Sequence, residues 1–265
     1  MDRNRKLGSK PVLFAFTFAA VLVGLLIVTS RGAFSTTTAN PGNSFTAATS
    51  FGGGGGITQV QKKDGGTSGN QTSITVTFDS TPTEDNLLIL VHDYGSAATV
   101  TLPSGWSQAA QKRDTNDNGN TTTIAYKVAG ASESTAVTVT VGSSKHSTLS
   151  IFEYSGIVTS SPLDQSATNG CGDGRSCSIG TTGTTSQADE LVIGGLGISG
   201  STGGWNDEWT NSFTQQTTIV STGSGTKSDS TVADFIASST GTFESTETWN
   251  QDKKAFGVIA TFKGA

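Results

Sequence analysis

Two histidines and two cysteines in 265 residues leave this chain short of the side chains that carry most nucleophilic and metal chemistry. His92 and His146 lie at no metal-ligand spacing from a cysteine, and no G-x-S-x-G elbow occurs. One methionine, five prolines and the lack of any long apolar stripe at helical spacing argue against a helical globular domain. Charge is scarce too, at 14% of residues. Residues 1–32 hold five of the sixteen Lys/Arg and one of the twenty-one Asp/Glu, which leaves eleven cations against twenty acids and a net −9 in the remainder. So acidic a surface repels a phosphate backbone, and no Lys/Arg stripe interrupts it. Nucleic acid is excluded as a partner.

What the chain has in quantity is Thr, Ser and Gly. Thr and Val favour strands, and Gly and Ser favour the turns between them. Period-2 alternation recurs: Ile74, Val76 and Phe78 in SITVTF; Ile124, Tyr126 and Val128 in TIAYKV; Val137, Val139 and Val141 in AVTVTV; and Phe256, Val258, Ala260 and Phe262 near the end. Residues 87–91 (LLILV) are continuously apolar, as expected of a central strand covered on both faces. Residues 149–154 change phase midway, which predicts a bulge. Further strands are expected near 57–62, 98–102, 189–198, 215–221 and 231–237. About eleven short strands with turn residues between them predict an all-β, two-sheet antiparallel sandwich, jelly-roll-like, over residues 57–265.

The first fifty-six residues read differently. A basic tip (Arg3, Arg5, Lys6, Lys10) precedes an apolar run at 12–28, so residues 1–32 form a hydrophobic helix that serves as signal peptide or membrane anchor. Ser30 and Gly32 place small residues at the −3 and −1 positions of a cut before Ala33. Without a cut, residues 10–32 would be the chain's only contact with a membrane, its N-terminus inside because the positive charge precedes the span. Either way residues 33–265 are expected outside the cell. Residues 33–51 (AFSTTTANPGNSFTAATSF) and five glycines at 52–56 then form an exposed arm and a hinge.

The segments Ala33-Phe34-Ser35 and Gly42-Asn43-Ser44-Phe45-Thr46-Ala47 resemble the mature N-termini of the TasA/camelysin class of exported surface proteins. The likeness covers about twenty-five residues and departs at Thr36–Thr37, where Asp is usual, and at Ala48, where Gly is usual. The resemblance implies export, and subunits that join into a homopolymer by passing an N-terminal strand to a neighbour. Here that donor arm would present Ala33, Phe34, Phe45 and Phe51. The order Leu102-Pro-Ser-Gly-Trp106, then 124–129 (IAYKVA), then 151–156 (IFEYSG) resembles β-sandwich domains of bacterial and phage surface proteins, which usually carry no known activity of their own.

Each remaining candidate has a plain structural rival. Cys171 and Cys177, closely spaced in CGDGRSC, predict one loop-closing disulfide in an exported chain. Asp114, Asn116 and Asn118 begin a D-x-N-x-N-G pattern that could wrap calcium, the one cofactor the sequence offers. The acidic twelfth position is Ala125, however, and Asn-Gly is also an ordinary hairpin turn. Trp205 and Trp209 flank two acids and could stack on sugar rings, or could belong to the core. Asn70 and Asn120 match the glycosylation acceptor pattern in expected loops. Glu244 and Glu247 are read as a solvated strand face, not as a glycosidase pair. His92 is read as structural, and Glu153 as half-buried beside a lysine. The sequence therefore predicts no enzyme. It predicts an extracellular structural protein, a filament or pilus subunit, with a glycan-binding adhesin as the rival and a hydrolase third.

Overall fold

Short alternating segments fold into strands only where sheets can cover their apolar faces, and three sheets do so here. The structure, a computed structural model, describes residues 56–114, 119–201, 204–225 and 227–265. The hydrophobic helix expected at 1–32, the arm residues Ala33, Phe34, Phe45 and Phe51, and the loop residues Asn116 and Asn118 lie outside the described residues. The strands all belong to the second of two units, Met1–Phe51 and Gly52–Ala265. In chain order they are β1 (Thr58–Gly66), β2 (Gln71–Thr77), β3 (Leu87–Tyr94), β4 (Val100–Thr101), β5 (Ser107–Arg113), β6 (Thr121–Val128) and β7 (Ala136–Lys145). There follow β8 (Ser147–Ser155), β9 (Leu163–Ser178), β10 (Glu190–Ser199), β11 (Thr214–Val220), β12 (Ser228–Ala237) and β13 (Thr246–Lys263).

The middle sheet has the order β1-β8-β3-β6-β5, and its faces are covered by two others of order β2-β7-β4 and β11-β12-β10-β13-β9. All ten strand pairings are antiparallel. Alternation along β3 sends Leu87, Ile89 and Val91 to a core shared with β10 and β13. It sends Leu88 and Leu90 to a second core shared with Ile74, Val76, Val137 and Val139 of β2 and β7. The continuous LLILV run is thus a strand buried on both faces, with no residue more than 2% exposed. Truncating one such leucine to alanine costs about 2–5 kcal/mol.

The expected sandwich therefore has a third sheet, and two strands escape the alternation pattern. β5 (SQAAQKR) is polar and carries a register shift between Gln108 and Ala110. β9 is rich in Gly, Ser and Asp, residues ordinarily found in turns. The bulge expected in β8 is absent: its register with β3 is unbroken. Ser150 and Glu153 break the apolar phase although both are buried, Glu153 with hydrogen-bond donors and Ser150 without a partner for its hydroxyl. The irregularity falls on the partner strand, between Gln59 and Gln61 of β1.

Cys171 and Cys177 form a disulfide, with Cα atoms 5.8 Å apart. Six extended residues would span roughly 20 Å, so the chain doubles back between the cysteines. Its partner does the same: the register jumps from Ser176–Thr248 to Gly174–Lys253. The disulfide closes the base of this shared excursion, whose tip carries an exposed Arg175–Asp252 ion pair.

Candidate functional site

The outer face of the β9–β13 sheet has no further sheet upon it. Val192, Leu196, Ile198, Ala233 and Ile259 are nonetheless fully buried, because three irregular segments lie over them. The first, residues 179–185, is laddered to the second, residues 241–245, by Ile179 N–H to Ser245 O, Thr182 N–H to Phe243 O and Thr185 N–H to Gly241 O, each 2.9 Å. Ile179 sits so close over β13 that a Cβ on Gly257 would lie 2.5 Å from its Cα. The third, residues 204–213, runs beside β13 beyond the end of β10, held by Asn250 N–H to Gly204 O and Asn206 N–H to Thr248 O.

This third segment carries Trp205 and Trp209. Neither is a free platform: both are half-buried and packed into the apolar cluster under the loop. Trp205 meets Trp249 edge-on at 6.0 Å. Trp209 begins a ladder of rings, with Phe213 at 6.3 Å, Phe235 a further 6.0 Å on and Phe243 5.9 Å beyond that. Such pairs contribute about 0.5–1.5 kcal/mol beyond the area they bury. The loop is also strained. Asp207, Asn211 and Ser212 have φ of 57°, 58° and 65°, a left-handed region that non-glycine residues occupy at a cost and that clusters at functional loops.

Glu244 and Glu247 do not face each other. Glu244 is exposed and accepts a hydrogen bond of 2.6 Å from Thr181 Oγ1. Glu247 is fully buried, not on a solvated face as expected, because its strand position points under the 204–213 loop beside Trp249. Its oxygens make no full hydrogen bond. Burial raises its pKa, partly offset by the backbone amides of Thr248 and Glu208. Beside this loop a cleft of about 360 Å³ is lined by Thr181, Asn211, Phe213, Thr242, Phe243 and Glu244. A smaller cationic cleft, about 240 Å³, lies between Lys112, Asp114, Gly170 and Lys254.

The other candidates disperse. His92 is buried against the third sheet, where desolvation lowers its pKa to about 3. Asp93, its chain neighbour, points the opposite way by strand alternation and accepts hydrogen bonds from Ser228 Oγ, Thr122 Oγ1 and Asn120 Nδ2. Burial raises its pKa to about 7 despite these donors. Carboxylate and hydroxyl therefore meet without the imidazole, and no Ser-His-Asp relay is assembled. Asn120 is fully buried in this cluster, so the glycan acceptor expected there is corrected to a structural donor. Asn70 is exposed in the turn between β1 and β2. Asp114 lies 3.8 Å from the Lys254 ammonium, a cation already beside the carboxylate expected to start a calcium loop. Among the described residues no group of three or more His, Cys, Asp or Glu could hold a metal ion.

Glu153 is fully buried, and no ion pair with a described lysine is formed. Its carboxylate accepts from Gln61 Nε2, Asn86 Nδ2 and the Thr83 amide. Burial pushes its pKa up, but these donors outweigh it and hold the group below its ordinary value. Sequence reasoning missed the amide cage because Gln61 and Asn86 are remote in the chain. No protein family, curated protein or solved structure matches this chain, and its functional reading rests on the geometry.

Proposed function

We propose that the chain is an exported structural protein of the cell surface, the subunit of an extracellular filament, whose arm at residues 33–51 lies as an added strand along a neighbouring copy. The supporting observation is a strand position that no described residue fills. The orders β1-β8-β3-β6 and β2-β7-β4 are those of a jelly roll whose fifth strand has left the smaller sheet to join β6, and β4 beside the gap is two residues long. Odd residues of β7 bond towards β2, as Phe78 N–H to Thr135 O indicates, and even residues towards β4, as Gly142 N–H to Thr99 O indicates. Thr140 pairs with Thr101. The next partner would be Pro103, which has no N–H to give. Thr138 is exposed, and by this alternation its amide and carbonyl turn to a side where no described strand pairs with it, the kind of edge that strand addition uses.

Electron microscopy of the protein beginning at Ala33 tests this reading. Fibres are expected, and their loss when residues 33–51 are deleted. A parent that stays monomeric, or an arm-deleted protein that still forms fibres, would overturn it.

A further inference from the structure

The cleft between residues 211–213 and 241–244 combines an apolar and a polar surface. Its floor is aromatic: Phe213 and Phe243 are joined through Phe235 to the ladder that begins at Trp209. Its rim is polar and exposed, formed by Thr181, Asn211, Thr242 and Glu244. We propose that this cleft binds a neutral oligosaccharide.

A pyranose has one face rich in C–H groups and an edge of hydroxyls. The first stacks on an aromatic ring, and the second needs planar acceptors and amide donors such as Glu244 and Asn211. About 360 Å³ is within the range of small-molecule sites. Both polar groups are pre-positioned. Thr181 Oγ1 holds one Glu244 oxygen at 2.6 Å and leaves the other carboxylate oxygen for a ligand. Asn211 Nδ2 donates to the Glu244 carbonyl at 3.0 Å and leaves its amide oxygen. Asn211 and the next residue, Ser212, both have left-handed φ. The charge sets the ligand class: the exposed carboxylate and the acidic chain repel uronates and other anionic sugars. Of the ring ladder, Phe213 and Phe243 line the cleft.

Unlike strand exchange, this site needs no second copy, so filament imaging leaves it untouched. The test is saturation-transfer NMR and calorimetry of the protein with cellohexaose, laminarihexaose and mannohexaose, and with hyaluronan as the anionic control. At least one neutral hexasaccharide is expected to bind and hyaluronan is not. Glu244→Gln and Phe243→Ala should each weaken binding about tenfold or more. Because Phe243→Ala removes core atoms, Thr242→Trp, which fills the cleft from its exposed rim, should abolish binding in a folded protein. Asn70→Ala, far away, should bind like the parent. No binding of any neutral hexasaccharide, preference for hyaluronan, or undiminished binding by Thr242→Trp would each overturn the proposal.

Discussion

Gly197 of β10 makes room for the most consequential buried polar group. A Cβ there would lie 1.9 Å from Asp93 Oδ1 and 2.4 Å from Thr122 Oγ1, so Gly197→Ala would force the cluster apart. An overpacking cost of about 3 kcal/mol is expected, measurable by urea unfolding. The same cluster makes stability depend on pH. Asp93 titrates from 3.8 in a free chain to about 7 in the fold. Between those values the folded protein keeps a proton that the unfolded chain has released, so stability falls as pH rises through the window. Glu190, raised from 4.5 to about 7 by burial, acts in the same direction. His92 opposes them only below pH 6.5, because its folded pKa of about 3 denies it a proton that the unfolded chain takes up. Above pH 6.5 the two acids dominate, and the unfolding free energy should drop towards pH 8. Asp93→Asn removes one of them. Its stability relative to the parent should change by about 2–3 kcal/mol between pH 5 and pH 8. Parallel curves for the two proteins would show that Asp93 is ionised in the fold.

At the scale of elements, β9 shows how a run of turn residues becomes a strand. Cys171 and Cys177 fix the base of its excursion, and β13 supplies the pairing on either side. In the chain-entropy account, closing so short a loop stabilises by about 2 kcal/mol. The double variant Cys171→Ser, Cys177→Ser should lose that amount, and the parent should lose the same under reductant. An unchanged midpoint would mean the excursion is held by β13 alone. The disulfide, the doubly buried β3, and β2, β6, β7 and the end of β13 were all legible in the sequence. There, alternation or continuous apolarity reports one or two covered faces directly. The rest was not legible, for physical reasons. β5 is a polar edge with an irregular register, and β9 depends on partners that lie some eighty residues away in the chain. The buried states of Glu153, Glu247 and Asn120 depend on what packs above them, which period-2 reading cannot show. The site suffers most from this. Trp205 and Trp209 lie in the 204–213 loop, but the cleft proposed to bind sugar joins Asn211 to Glu244 and Thr181, which lie far apart in the chain.

At the scale of the whole molecule, sheet edges decide whether copies join and where. Natural edge strands are blunted by bulges and charge, which stops indiscriminate pairing. Register shifts interrupt β1 at Gln59/Gln61, β2 at Gln71/Ser73, β5 at Gln108/Ala110 and β11 at Gln215/Thr217. β1 further carries Lys62 and Lys63. On β7, Ser134 Oγ already binds both the Ala136 amide, at 3.1 Å, and its carbonyl, at 3.2 Å. Among the described residues no strand pairs with Thr138 on that side and no side chain is recorded bonding its backbone. Thr138→Pro therefore tests the proposed docking edge with little harm to the subunit. It removes an N–H that β2 does not use, and its Oγ1 contact with Thr75 is an exposed one. The monomer should keep its near-ultraviolet circular dichroism and stay within about 1–2 kcal/mol of parental stability, while fibres of the protein beginning at Ala33 should be lost. A peptide of residues 33–51 should bind the arm-deleted parent and not the arm-deleted proline variant. Should Thr138→Pro assemble as the parent does, or should that peptide bind both proteins equally, the arm docks elsewhere and the gap beside β4 is no acceptor.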